Sequence, residues 1–222
     1  EELRNRAGTI ARFLIGRGVK MLVVACNSAT AAAGPEIHEL GREAGIPVVT
    51  VVTPEAEIAG AITGNGRIGV LATPATVSSG AYRRALSAQG PAFTVTEVEA
   101  PDLAPIIQEG PTFDESVMAT VRTYCRPLRE AGIDTLILGC THYPLVAPML
   151  QRMLGRDVSL VTAGHAIAAA IQRELTARGA LADGTEEGSY EFLVTGDPGA
   201  FTEVGTRFLQ LPLAGRVERV VL

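Results

Sequence analysis

The sequence predicts an α/β fold of two similar parallel-sheet lobes facing each other, with the active site in the cleft between them. Three observations carry this. Apolar runs of strand length alternate along the whole chain with longer segments of helical spacing, the pattern of strand, crossover helix and parallel strand. Two of the runs end alike: Cys26 follows Gly18, and Cys140 follows Gly132, at the same separation, each after a short apolar strand and before two hydrogen-bonding residues. At 222 residues the chain can bury a substantial core. The matched frames place the first lobe at 1–50 plus 162–222 and the second at 51–161.

In order, residues 3–16 carry helical spacing, 20–25 (KMLVVA) form an apolar strand, and 29–43 return to a helical period. A strand at 47–52 (PVVTVV) leads to a helix at 54–62, with Thr53-Pro54 as its start signal. Gly64-Asn65-Gly66 marks a turn into the strand 67–72 (RIGVLA). Then come a helix at 76–88, a strand at 93–98, and a helix at 114–130 capped by Asp114. The strand 134–138 (DTLIL), helix 144–154, strand 157–161 and helix 164–178 continue the alternation. A polar loop at 182–188 (ADGTEEG) precedes strands at 190–194 and 217–221.

Composition excludes several function classes. A formal charge of −5 leaves no basic surface to follow a phosphate backbone, so nucleic acid is not an expected partner. No run approaches the ~20 apolar residues that span a bilayer, so no membrane partner is expected. The start, Glu1-Glu2-Leu3-Arg4, lacks the profile of a secretory signal, and the expected compartment is the cytoplasm. Cys26, Cys125 and Cys140 are too widely spaced for a disulfide framework or a structural zinc site, and no metal is expected. The only lysine, Lys20, begins its strand at the end opposite Cys26, which argues against a Schiff-base cofactor. No phosphate-binding glycine motif follows any strand. No cofactor is expected.

Cys26 and Cys140 both fall where an α/β strand delivers its ligand-binding end, at the turn into the next helix. Helix N-termini lower a thiol's pKa and attract carboxylates, so both cysteines sit where activation costs little. Cys125, inside a helical pattern, reads as core, and His38 and His165 read as solvated or capping residues. His142, two positions past Cys140, can orient or charge that thiol. Two matched thiols suit one chemistry above others. Taking a proton from one face of a carbon and returning one to the other needs a thiolate base and a thiol acid on opposite sides, which is racemisation or epimerisation. A cysteine hydrolase would leave the second thiol unexplained.

The stretches ACNSAT (25–30), LGCTHYPL (138–145), IGVLATPATVSSGAY (68–82) and TGDPGAF (195–201) resemble, in order and spacing, the motifs of the glutamate racemase family. The likeness runs along essentially the whole chain. It implies cofactor-independent interconversion of L- and D-glutamate, supplying D-glutamate for peptidoglycan, with Cys26 and Cys140 as the two proton donor/acceptors. By the same resemblance Asn27, Ser28, Thr141 and His142 hold the polar groups of the substrate, and Thr73 and Thr76 bind its carboxylate. Closure of the lobes would give the thiolate a water-poor cleft. Dimers are common in the family, so a homodimer is an expected assembly. The sequence departs from the family pattern in several places. The family's first strand with its Asp-Ser-Gly motif, and the Tyr-Gly loop after it, have no counterpart here. Ser28 replaces a commoner Thr, Gln108 beside Glu109 stands where Glu is usual, and VTAGHA (161–166) replaces a Ser- or Asp-containing turn. Alternatives are an aspartate or other amino-acid racemase of the same superfamily, and a catalytically silent binding module.

Overall fold

Parallel strands need a crossover between them, and this chain supplies a helix at nearly every one. The computed structural model describes residues 1–90, 93–110, 114–184 and 188–222; part of the polar loop expected at 182–188 lies outside them. Helix α1 (Glu2–Gly16) leads to β1 (Leu22–Val24), α2 (Asn27–Ala44), β2 (Val48–Thr50) and α3 (Val52–Ile62). Next come β3 (Arg67–Ala72), α4 (Pro74–Ser78), α5 (Ala81–Ser87), β4 (Thr94–Glu99), α6 (Leu103–Glu109) and α7 (Glu115–Glu130). Strand β5 (Thr135–Gly139) runs through a 3-10 turn (Tyr143–Val146) into α8 (Ala147–Leu154), then β6 (Ser159–Val161) and α9 (Ala163–Ala177). The chain ends with β7 (Phe192–Val194), α10 (Pro198–Leu209) and β8 (Val217–Arg219).

Two structural units divide at residue 179. Residues 1–179 contain a parallel pair, β1-β2, and a four-stranded parallel sheet of order β4-β3-β5-β6. The α/β class with parallel sheets is therefore observed as expected. In the larger sheet Ile68, Val70 and Ala72 of β3 face α3, α5 and α9, in a core shared with Ala56, Ala59, Tyr82, Leu86 and Ile167. On the opposite face Gly69 is pressed by Ile133 and by Leu128 of α7, with no room for a side chain. That alternation is the period of two expected of a sheet covered on both faces. Residues 180–222 form a separate β7-α10-β8 crossover with β7 and β8 parallel. There Asp197 caps α10 by accepting from the Ala200 N–H at 2.7 Å.

The sequence and structure differ at element ends and in two crossovers. The run 20–25 yields only three strand residues because, among the described residues, β1 has β2 as its one ladder partner, and Val23 stays 42% exposed. The expected helix 76–88 is two helices, broken at Gly80, whose φ of 64° is open to glycine at little cost. Helices α6 and α10 were not read from the sequence, although Asp197-Pro198 is a cap followed by proline at the first helical position. Asp114 caps α7 as expected, accepting from Val117 N–H at 2.9 Å. The Gly64-Asn65-Gly66 turn is held by the Asp134 carboxylate, which accepts from Thr63 Oγ1 and from the N–H groups of Gly64 and Asn65. The turn before β3 is thereby tied to the start of β5.

The last residue of β5, just before Cys140, has no room for a side chain. A Cβ on Gly139 would lie 2.8 Å from Ala72 Cβ, 3.1 Å from the Leu71 carbonyl and 3.1 Å from Tyr82 Cε2. Gly139→Ala should therefore lower stability by about 1–3 kcal/mol, the usual cost of overpacking a filled core. A urea denaturation midpoint unchanged from the native chain would show that the neighbours yield freely.

Candidate active site

Cys26 and Cys140 each follow the carboxyl end of a parallel strand, β1 and β5, where α/β folds present their ligands. Their surroundings differ. Cys26 is exposed and is the N-cap of α2, its Sγ accepting the Ala29 N–H at 3.5 Å. Cys140 is buried and enters the short 3-10 turn rather than an α-helix. Burial pushes the Cys140 thiol above its ordinary value, contacts with the residues that follow pull it back only in part, and the charge of Cys26 pushes it further up. The low-cost activation expected of both thiols thus meets a desolvation penalty at Cys140 that the turn does not cancel.

His142 lies beside Cys140, with Nδ1 3.8 Å from Sγ and 3.5 Å from Thr141 Oγ1. Burial lowers the His142 pKa, so the ring is neutral at pH 7. Of the two roles open to it, orienting the thiol fits this state and charging it does not. Thr141 is exposed at the same turn. Ser28 at the start of α2 and Thr73 and Thr76 at the start of α4 form a hydroxyl cluster. Ser28 Oγ is 2.8 Å from Thr73 Oγ1 and 3.3 Å from Thr76 Oγ1, and the two threonine oxygens are 3.1 Å apart. Each hydroxyl can donate as well as accept, so the cluster can turn its protons toward an anion.

Asn27 faces inward. It is 1% exposed, and its Nδ2 donates to Glu55 Oε2 at 3.0 Å and to Tyr82 Oη at 2.7 Å. The Tyr82 hydroxyl also donates to Glu55 Oε2. Burial raises the Glu55 carboxyl to about 8, against the opposing pull of these two donors, so it is protonated at neutral pH. Glu55 and Tyr82 escaped the sequence reading. Tyr82 closes the family-like stretch 68–82, and the available signal for Glu55 was an acid among the apolar residues of α3. Cys125 is core in α7, and His38 and His165 are exposed. Among the described residues no group of three or more His, Cys, Asp or Glu is placed to hold a metal, and no helix is long and apolar enough to cross a membrane.

Two outcomes follow. Iodoacetamide labelling of Cys140, read by peptide mass spectrometry, should be slow at neutral pH and climb on the alkaline side; full labelling at pH 7 would contradict its thiol form. Glu55 is raised on folding, so its contribution to stability is complete below its unfolded value near 4.5 and is lost as pH rises through about 8. In urea titrations the native chain should lose up to about 1.4 kcal/mol per pH unit across that window relative to Glu55→Gln. Parallel pH curves for the two proteins would mean that Glu55 is ionised throughout.

The family model described as Asp/Glu/Hydantoin racemase matches residues 6–178. A glutamate racemase of Beutenbergia cavernae is 42% identical over 217 residues, spanning 94% of this chain and 74% of that protein. One from Geobacter metallireducens is 40% identical, spanning 90% of this chain and 73% of that protein. The chain thus spans about three quarters of the length of these relatives. Among solved structures, a glutamate racemase isoform of Bacillus anthracis superposes with a TM-score of 0.92 at 32% identity, covering 100% of this chain and 81% of that one. A glutamate racemase of Francisella tularensis in complex with D-glutamate gives 0.90 at 30% identity, covering 99% and 80%. By its family model, its relatives and its fold, the chain belongs to the Asp/Glu/Hydantoin racemase family.

Proposed function

We propose that this protein is a glutamate racemase, interconverting L- and D-glutamate without a cofactor by a two-base mechanism on Cys26 and Cys140. The single observation that supports the mechanism is the pair of thiols, each following the carboxyl end of a parallel strand. One cysteine, as thiolate, takes the Cα proton and becomes a thiol. The carbanion is delocalised into the α-carboxylate, and the other cysteine, as thiol, returns a proton to the opposite face. One proton leaves, one arrives, and the enzyme finishes with the cysteine roles exchanged. Burial keeps Cys140 in the acid form suited to the donor half of this cycle.

Ser28, Thr73 and Thr76 supply donors for a substrate carboxylate, and Thr141 and His142 supply polar contacts beside Cys140. Asn27 holds the base of the site, its Oδ1 unpartnered among the described residues. The substrate is a small molecule, glutamate, the ligand type named for the Francisella tularensis relative. The physiological role would be supply of D-glutamate for peptidoglycan in the cytoplasm. Lobes at 1–50 plus 162–222 and at 51–161 would close on the substrate, and a homodimer is the assembly in keeping with the family.

The test is loss of the Cα–H NMR signal of L-glutamate in D2O, without added cofactor, alongside L-aspartate. Exchange of glutamate alone, with racemisation abolished in both Cys26→Ala and Cys140→Ala, is the expected result. Exchange of aspartate alone would move the protein to the aspartate reading. No exchange in a folded chain would leave a binding module.

A further inference from the structure

A carboxyl group 0% exposed, with no cation against it, costs folding energy unless it does something at that position. Glu55 lies on α3 between the two cysteine-bearing turns. On one side it accepts from Asn27, the residue after Cys26 and the first of α2. On the other it accepts from the Tyr82 hydroxyl of α5. The Tyr82 ring in turn lies 3.1 Å from where a Cβ would stand on Gly139, the residue before Cys140. Asn27 and Tyr82 are also bonded directly, at 2.7 Å, which closes a triangle of three buried groups from three helices.

We infer that Glu55 is a positioning residue: by holding the Asn27 amide and the Tyr82 phenol together, its carboxyl fixes the spacing between Cys26 and Cys140. Two-base proton transfer across one carbon depends on that spacing, since small misplacements of reacting groups cost large factors in rate. The inference rests on the racemase reading for its kinetic consequence and on the hydrogen-bond geometry alone for its structural one.

The groups around Glu55 leave it without a counter-charge. Glu57, the other acid of α3, is 3.8 Å from Arg173 of α9. On α5, Arg83 is paired with Glu97 of β4 at 2.6 Å, and Arg84 donates to the Ser79 carbonyl at 2.7 Å. From α2 the facing group is Asn27, from α5 it is Tyr82, and beyond Tyr82 lies Cys140 after β5. Glu55 Oε1 has no hydrogen-bond partner among the described residues. The neutral carboxyl is consistent with this environment, and an isosteric amide preserves the acceptor oxygen.

The experiment has a kinetic arm and a spectroscopic arm on the full chain. Glu55→Gln should keep kcat within about threefold, whereas Glu55→Leu should lower it about tenfold or more with KM changed less, as expected when a positioning bond pair is lost. If Glu55→Leu does not fold, Tyr82→Phe takes its place. It keeps the ring against Gly139, removes only the hydroxyl, and should give the same split. In 15N-resolved NMR spectra the Asn27 side-chain amide should titrate with a midpoint near 8 in the native chain and stay fixed in Glu55→Gln. Native kcat in a folded Glu55→Leu or Tyr82→Phe, or an Asn27 amide that ignores pH in the native chain, would overturn the inference. A native chain that racemises nothing refutes the racemase reading instead, and the Asn27 amide still decides the contact.

Discussion

Gly139 and Tyr82 meet at the point on which the rest of the site depends. A glycine at the end of β5 lets an aromatic ring lie directly under the strand that carries Cys140, and that ring brings its hydroxyl to Glu55 and Asn27. The constraint is steric first and polar second. Fill the space at Gly139 and the ring that carries the phenol is displaced; remove the acid and the amide after Cys26 keeps one of its two inward partners, the phenol. Close packing between β3 and β5 and hydrogen bonding among α2, α3 and α5 act on the same few residues, so geometry set in the core is passed to the loops that carry the two cysteines.

The two thiols are unequal in a way that fits alternating roles. Cys26 is exposed at the head of an 18-residue helix, whose first amides are available to its sulfur. Cys140 is buried in a turn too short to offer a comparable dipole, beside an imidazole that burial keeps neutral. One cysteine thus caps a helix, and the other is held back by desolvation. In the proposed two-base cycle substrate binding would narrow the difference, because each cysteine would serve as acid on one pass and base on the next.

Much of this was legible in the sequence. Strand and helix alternation fixed the fold class because amphipathic period is a local property, and the twin cysteine frames stood out because a thiol at a strand's end is not something packing requires. The split of α4 from α5 was hidden because helical spacing continues across Gly80, and only a backbone at positive φ ends it. The Asn27–Glu55–Tyr82 triangle was hidden for another reason. Its members come from three separate helices, and Glu55 read as part of an ordinary helix start until tertiary contact showed it sealed from water. Asn27 was read as a ligand for substrate, and its amide nitrogen is spent on the interior.

The hydroxyl cluster of Ser28, Thr73 and Thr76 has a consequence for symmetry. In water the two hands of an amino acid have equal free energy, so a racemase must have the same kcat/KM in both directions and must accept mirror-image substrates in one chiral pocket. A guanidinium fork presents its protons in one fixed plane and rewards one approach. Three hydroxyl protons that rotate about their C–O bonds can follow a carboxylate into either pose, without moving the oxygens that carry them.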